Sequence, residues 1–414
     1  MSDKTNNDIK KTAADESERQ PEKASFTGGV ITAVSFLAVI FGFAVAGLIS
    51  PDRAFSDMEN RTLQQKPEFS FERLKNGDFT ADIEQYMSDQ IFLKDELVSV
   101  KTAADRMLLK SYLNGVYFGS GGYYLQDFQP NIELVDRNVD KLNSFAETVK
   151  GQAEVSFLLA PNAVCVLGDK LPAFNKSRPQ EEVISEIESR LSKDINFVCP
   201  AEDMKQSPDK DSFYYRTDHH WTADGAYFAF EKLMESMGES VPQVNWQTEE
   251  LKDFYGTLYS KAPQGTAKPD TIELRTADDN EITVKYVTPN GDHKAPAECT
   301  EQEGVLTNST LFAEEPKTTK DKYATFMGGN FTLIECDTQG ENDENVLVIK
   351  DSYANSMMPY LCQKYKHISM IDLRYYHMEP KTVSQYVQEN NITKVIYLYN
   401  VDFINTDNNF AWLD

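Results

Sequence analysis

Two short segments carry the residue types that serine acyl transfer requires. One is Tyr215-Arg216-Thr217-Asp218-His219-His220-Trp221-Thr222, which sets two of the chain's five histidines side by side next to an aspartate. The other is Ile349-Lys350-Asp351-Ser352-Tyr353-Ala354-Asn355-Ser356, directly after the apolar run Val346-Leu347-Val348-Ile349. A serine hydroxyl attacks a carbonyl poorly until a base takes its proton, and a histidine base works best when a carboxylate fixes its tautomer. Asp218 and His220 are two residues apart, so a loop there can set the carboxylate on one ring nitrogen and leave the other for a nucleophile. Ser352 is the candidate nucleophile, His220 the base and Asp218 its orienting partner. Tyr353, His219, Trp221 and Asn355 are candidates for contacting substrate or the oxyanion, with Trp221 also able to lock the loop by packing.

Each feature has a plainer reading. Ser352 could simply cap a helix, and the histidines could be a satisfied structural pair. Asp218, His219 and His220 are also possible metal ligands, but no further cluster completes a metal signature, so neither metal nor cofactor is expected.

The elements that would position these residues read as alternating strands and helices. Strands are expected at Val155–Ala160, Ile195–Val198, Val346–Ile349, Ile368–Leu373 and Val395–Tyr399. Helices are expected at Glu181–Leu191, Ala223–Met237 with Thr222 as cap, and Thr382–Glu389. Near-continuous apolar strands between helices imply a parallel sheet covered on both faces. In such a sheet, sites lie beyond the carboxyl ends of strands, which is where Ser352 falls. The segment from about 241 to 321 is rich in Thr, Asp, Glu, Pro and Gly; it reads as an inserted stretch of loops and short strands that either walls a groove or decorates the surface. Residues 51–150 read as a helical stalk and N-terminal part, with a short hairpin around Gly115–Gly122, and 151–414 as the α/β domain.

Near the N-terminus, Ala24 to Pro51 has no charged residue, enough for a helix to cross a bilayer. A cleaved signal peptide would have a shorter apolar part after a short basic start. Lys4, Lys10, Lys11, Arg19 and Lys23 precede the span, and only Arg53 follows closely. The positive-inside rule then leaves residues 1–25 as a disordered cytoplasmic tail, 26–50 as a transmembrane helix, and the rest outside the membrane. A net charge of −25 argues against nucleic acid as a partner. Five scattered cysteines do not read as a disulfide framework.

With Asp218-His219-His220-Trp221 and Ser352-Tyr353 in view, the chain resembles the DHHW protein family, which is similar to the alginate O-acetyltransferases of the SGNH-hydrolase-like group. The resemblance implies an SGNH-hydrolase-like α/β fold with a permuted Asp-His…Ser order. It implies O-acetylation of a cell-surface or exported polysaccharide, or the reverse deacetylation as a carbohydrate esterase, or a non-catalytic glycan-binding scaffold. It also implies a glycan substrate and a membrane-bound acyltransferase as partner. Gly329 and Asn330, within Gly328-Gly329-Asn330, are candidate oxyanion residues by the same resemblance, or a strand-end turn. Glu59-Asn60-Arg61, Asp89-Gln90 and Gly256-Thr257 look like lesser landmarks. Lys350 stands where classical SGNH enzymes have Gly, and the Asp218-to-His220 spacing is one residue shorter than theirs.

Overall fold

The computed structural model describes residues 26–414 apart from 57, 59–60, 279–280, 288–294, 303–304, 377–380 and 414. The expected tail, residues 1–25, and the landmark residues Glu59 and Asn60 lie outside the described residues. The chain divides into two compact units.

The first unit takes residues up to Phe55 and Thr62–Lys94. It contains α1 (Phe26–Ile49), α2 (Phe71–Asn76) and α3 (Asp78–Asp89). Over Gly28–Ile49, α1 has a mean hydropathy of 2.4 and none of it is buried, so it is long and apolar enough to cross a membrane. The landmark Asp89-Gln90 fastens the chain that follows α1. Asp89 accepts from Gln64 N at 2.8 Å and from Gln85 Nε2 at 3.0 Å. The Gln90 amide pairs with both the N–H and the C=O of Arg53 at 2.9 Å. The described residues between 56 and 70 are not helical, contrary to the stalk reading of that stretch; helix begins only after Ser70, whose side chain caps Arg73 N.

The second unit opens with α4 (Lys94–Met107), all but its first residue. A three-stranded antiparallel meander follows: β1 (Tyr112–Leu113), β2 (Val116–Phe118) and β3 (Tyr124–Gln126). It is one strand more than the expected hairpin. Next come α5 (Ile132–Thr148), β4 (Glu154–Ala160), α6 (Glu181–Arg190), β5 (Ile195–Val198) and α7 (Ala223–Met237). Thr222 caps α7 by accepting from Gly225 N, and Gly238 closes it in the left-handed conformation. Then follow β6 (Trp246–Phe254), β7 (Asp270–Ala277), β8 (Thr283–Val287), β9 (Thr300–Gln302), β10 (Val305–Asn308), β11 (Leu333–Asp337) and β12 (Asn342–Lys350). The chain ends with α8 (Met358–Lys364), β13 (Tyr365–Ile371), α9 (Val383–Glu389), β14 (Lys394–Asn400) and α10 (Val401–Thr406).

The main sheet has nine strands in the order β9-β10-β8-β11-β13-β12-β14-β4-β5. Five of them, β13-β12-β14-β4-β5, are parallel. The other four are antiparallel, so the expected purely parallel sheet is corrected to a mixed one. The reason is visible in the burial. β14 is buried at every position and β4 at all but its first, as strands sandwiched between helices must be. β8 alternates buried and half-buried residues, the pattern of a strand covered on one face. Part of the inserted segment thus extends the main sheet, and the rest, β6 with β7, makes a separate antiparallel pair.

Alternate residues of the parallel strands enter two cores. Leu158, Val348, Met370 and Leu398 pack with Phe230 and Leu233 of α7 and Leu361 of α8. Phe157, Leu347, Ile349 and Tyr397 pack with Val139 and Leu142 of α5, Ile187 of α6 and Val387 of α9. The carboxyl ends of the parallel strands then present Asn162 after β4, Asp351 and Ser352 after β12, Asp372 after β13 and Asn400 at the end of β14. All five cysteines are free thiols.

Candidate functional site

Ser352 begins a short 3-10 turn, Ser352–Ser356, directly after β12. The cap of that turn is Asp351, which accepts from Tyr353 N at 2.8 Å, so the Ser352 hydroxyl is not consumed in capping. The histidine segment is a tight loop closed by bridge pairing of Tyr214 with Trp221. Asp270, the first residue of β7, clamps it by accepting from Arg216 N (3.0 Å), Thr217 N (2.8 Å) and Thr217 Oγ1 (2.6 Å). The inserted segment is therefore structural support for this loop.

Residues 132 positions apart meet here. Ser352 Oγ lies 2.8 Å from His220 Nε2, and His220 Nδ1 lies 2.6 Å from Asp218 Oδ1. With the proton on Nδ1, the imidazole donates to Asp218 and accepts from the serine hydroxyl. Asp218 Oδ1 also accepts from His220 N at 2.9 Å, while Oδ2 accepts from Thr257 N at 2.7 Å and Thr257 Oγ1 at 3.1 Å. Burial opposes the Asp218 charge, but the adjacent His219 and His220 rings and these donors more than offset it and hold the carboxyl well below the usual carboxylate range. His220 and Asp218 are both buried. Tyr323 stacks on the His220 ring at 3.7 Å and 8°, and its hydroxyl donates to Ser352 O or Ser356 Oγ, each at 3.1 Å. This packing fixes the imidazole plane.

The remaining candidates separate into two groups. Trp221 and Tyr353 have no exposed surface. The Trp221 indole N–H donates to Tyr353 O at 3.0 Å and Ser356 Oγ at 2.9 Å. The Tyr353 hydroxyl donates to His219 O and accepts from Asn162 Nδ2 at 2.9 Å. Both position the two segments against each other and do not face substrate. His219 is different: its side chain is 31% exposed, and Nδ1 is 2.6 Å from Thr257 Oγ1. Burial, with His220 close by, pushes its pKa down, so it is neutral and offers Nε2 outward.

Gly328 and Gly329 both have positive φ, 73° and 111°, and form a tight turn before β11. The Gly329 N–H donates to Phe326 O at 3.2 Å and is not available to an oxyanion. Asn330 Oδ1 accepts from Lys350 Nζ (2.7 Å) and from Asn355 Nδ2 (3.2 Å), which fixes its amide and leaves Nδ2 as a donor with no partner among the described residues. The Tyr353 N–H, expected as an oxyanion donor, is held by Asp351; the Ser352 N–H has no acceptor among the described residues.

Sequence reasoning missed Tyr323, Lys350, Asp351 and Asp270, and attached no role to Gly256 and Thr257. Lys350 is buried, 2.8 Å from Asn355 Oδ1 and 3.6 Å from Asp372, which Arg374 grips through two nitrogens. Burial pushes the Lys350 pKa down to about 8, and burial pushes that of Asp351 up to about 6, although Asn400 N (2.6 Å) and Nδ2 (2.7 Å) donate to it. A lysine with a folded-state pKa below its unfolded value of about 10.4 opposes folding while charged, and the opposition fades as pH rises from about 8 toward 10.4. Relative to wild type, Lys350→Met is therefore expected to lose a stability gain on the order of 2 kcal/mol between pH 7.5 and 10. Urea unfolding at the two pH values measures it; parallel pH dependences in the two proteins would contradict the buried charge.

The residues that match the family model described as "DHHW protein" are 102–371, more than half of the chain. A DHHW family protein from Eubacterium siraeum superposes with a TM-score of 0.60 at 23% identity, over 72% of this chain and 94% of that one. PatB1 of Bacillus cereus superposes with a TM-score of 0.60 at 23% identity, over 72% and 99%. A second PatB1 structure, with a sulfonyl adduct, gives 0.59 at 22% identity, over 72% and 98%. At these identities the likeness is one of fold. No curated protein sequence matches significantly. The family motif Asp218-His219-His220-Trp221 stands in the loop that reaches Ser352, and this chain belongs to the DHHW protein family.

Proposed function

We propose that this chain is a single-pass, membrane-anchored, extracytoplasmic serine acyl-transfer enzyme of the SGNH-hydrolase-like group, using Ser352, His220 and Asp218. The observation that carries the reading is the unbroken hydrogen-bond chain Asp218–His220–Ser352, at 2.6 and 2.8 Å, at the carboxyl edge of a parallel sheet. α1 and the excess of basic residues before it support an anchor with its N-terminus in the cytoplasm.

In this mechanism Ser352 Oγ attacks the carbonyl carbon of an acetyl ester or thioester while His220 Nε2 takes its proton. The C–O or C–S bond breaks, the leaving group takes the proton from His220, and acetyl-Ser352 remains. A sugar hydroxyl then attacks, passing its proton to His220, and the acetyl group leaves on carbohydrate as Ser352 is reprotonated. Water as acceptor makes the same site an esterase. The Ser352 N–H and Asn330 Nδ2 are the donors offered to the oxyanion. Asp218 keeps the imidazole in its productive tautomer. The acetyl donor on the outer face would come from a membrane-bound acyltransferase partner.

A PatB1 structure with a sulfonyl adduct makes sulfonyl fluorides apt probes. Phenylmethylsulfonyl fluoride is expected to modify the full-length protein in detergent once, at Ser352 by peptide mass mapping, and to stop p-nitrophenyl acetate turnover. A folded protein that takes no label at Ser352 would leave a non-catalytic scaffold as the better reading.

A further inference from the structure

A second recess in the same unit has the make-up of a carbohydrate site. It has a volume of about 610 Å³ and is lined by Arg106, Arg216 and Lys268, by Phe118, Tyr123 and Tyr124, and by the turn glycines Gly121 and Gly122. That volume lies within the range of ligand pockets, about 300–1,000 Å³. No Asp or Glu lines it, in a chain whose net charge is −25. The guanidinium of Arg106 sits 4.6 Å from the Phe118 ring centroid, and that of Arg216 5.5 Å from the Tyr123 centroid. Neither guanidinium is in an ion pair among the described residues. The acids nearby are engaged elsewhere: Asp105 with Lys101 and Lys110, Asp211 with Lys170, and Asp270 with the backbone of the histidine loop.

We infer that this cleft binds an anionic carbohydrate chain. Flat aromatic faces and side-chain-free glycines suit a sugar ring, and free guanidinium groups suit a carboxylate or phosphate on it, which they can grip through two nitrogens. A long polyanion without sugar rings fits less well, since the overall negative charge repels it at distances beyond the cleft. The cleft is also mechanically joined to the acyl-transfer site. Tyr124 N donates to Arg216 O at 2.7 Å, and Arg216 lies two residues before Asp218 in the loop that Asp270 clamps. The inference rests on the acyl-transfer reading for the idea that carbohydrate is the acceptor, but binding can be measured without turnover.

The test uses the full-length protein in uncharged detergent and four probes: oligogalacturonate (carboxylate on sugar), polyglycerol phosphate, neutral chito-oligosaccharide, and inorganic polyphosphate. Oligogalacturonate or polyglycerol phosphate is expected to bind, whichever is tighter identifying the anion, and the affinity should fall at least tenfold in Arg106→Gln and in Arg216→Gln. Ser352→Ala should bind as wild type, and Arg106→Gln should hydrolyse p-nitrophenyl acetate as wild type. Failure of both anionic glycans to bind, equally tight binding of the neutral oligosaccharide or of polyphosphate, or indifference to the arginine substitutions would overturn the inference. Loss of hydrolysis in Ser352→Ala without loss of binding keeps this outcome separate from the fate of the triad.

Discussion

Ser352→Ala, His220→Ala and the double variant are expected to share one residual rate, roughly 10⁴–10⁶ below wild type in kcat for p-nitrophenyl acetate. The two residues act in a single step: the proton that leaves Ser352 Oγ goes to the nitrogen 2.8 Å away, and nothing else among the described residues is hydrogen-bonded to that hydroxyl. Removing either one disables the other, so their losses do not add. The Ser352→Ala change deletes one oxygen from a half-buried position, and thermal unfolding should move little. The decisive comparison is His220→Ala. A rate within tenfold of wild type would mean that Ser352 is activated by something other than His220, and the proposed mechanism would fall even if Ser352 remained the acylated residue.

How much of this was legible in the sequence depends on the kind of residue. His219-His220 beside Asp218 and Ser352 after an apolar run stand out because reactive groups are few and their setting is unusual. The parallel strands β4, β12 and β14 were readable because burial on both faces leaves near-continuous apolar runs. The antiparallel extension was not. β8 to β10 are short, half covered and set in Thr-, Asp- and Glu-rich sequence, so their apolar periodicity is weak, and pairing across Val284 and Cys336 is decided at long range. A similar limit hid the supporting residues of the site. Tyr323 matters by lying flat on His220, and Asp270 by accepting three donors from a loop more than fifty residues earlier. Neither residue type signals such a role. The oxyanion donors were misplaced for a local reason: Asp351 caps the turn after β12 and so occupies the Tyr353 N–H that the strand-to-helix geometry alone would have offered.

Lys350 shows a related compensation. In place of the glycine of classical SGNH enzymes, this chain buries a lysine whose ammonium holds Asn330 Oδ1 and Asn355 Oδ1. Orienting Asn330 in this way turns its Nδ2 free, which supplies one of the two donors the oxyanion requires. The departure from the familiar motif therefore has a structural counterpart beside the nucleophile.

Gly256→Ala is the second substitution expected to have a large effect, and the cause is space, not backbone freedom. Gly256 has φ −81° and ψ −167°, an extended conformation open to any residue. A Cβ built there would lie 2.2 Å from Asp218 Cβ and 2.3 Å from Asp218 Oδ2. Asp218 cannot step aside cheaply, because four donors hold its two oxygens and its side chain is only 2% exposed. Either the carboxylate turns away from His220 Nδ1 or the turn that starts at Thr257 retreats and takes its two donors with it. Both leave the imidazole without its fixed tautomer, a loss comparable to removing the carboxylate, roughly 10²–10⁴ in kcat. The overpacking itself costs about 1–3 kcal/mol, so the protein stays folded with a lower melting temperature. Steady-state kinetics and thermal unfolding on the same preparation measure the two effects. Wild-type kcat in a folded Gly256→Ala protein would mean that Asp218 has room to move and that its grip on His220 does not govern the rate.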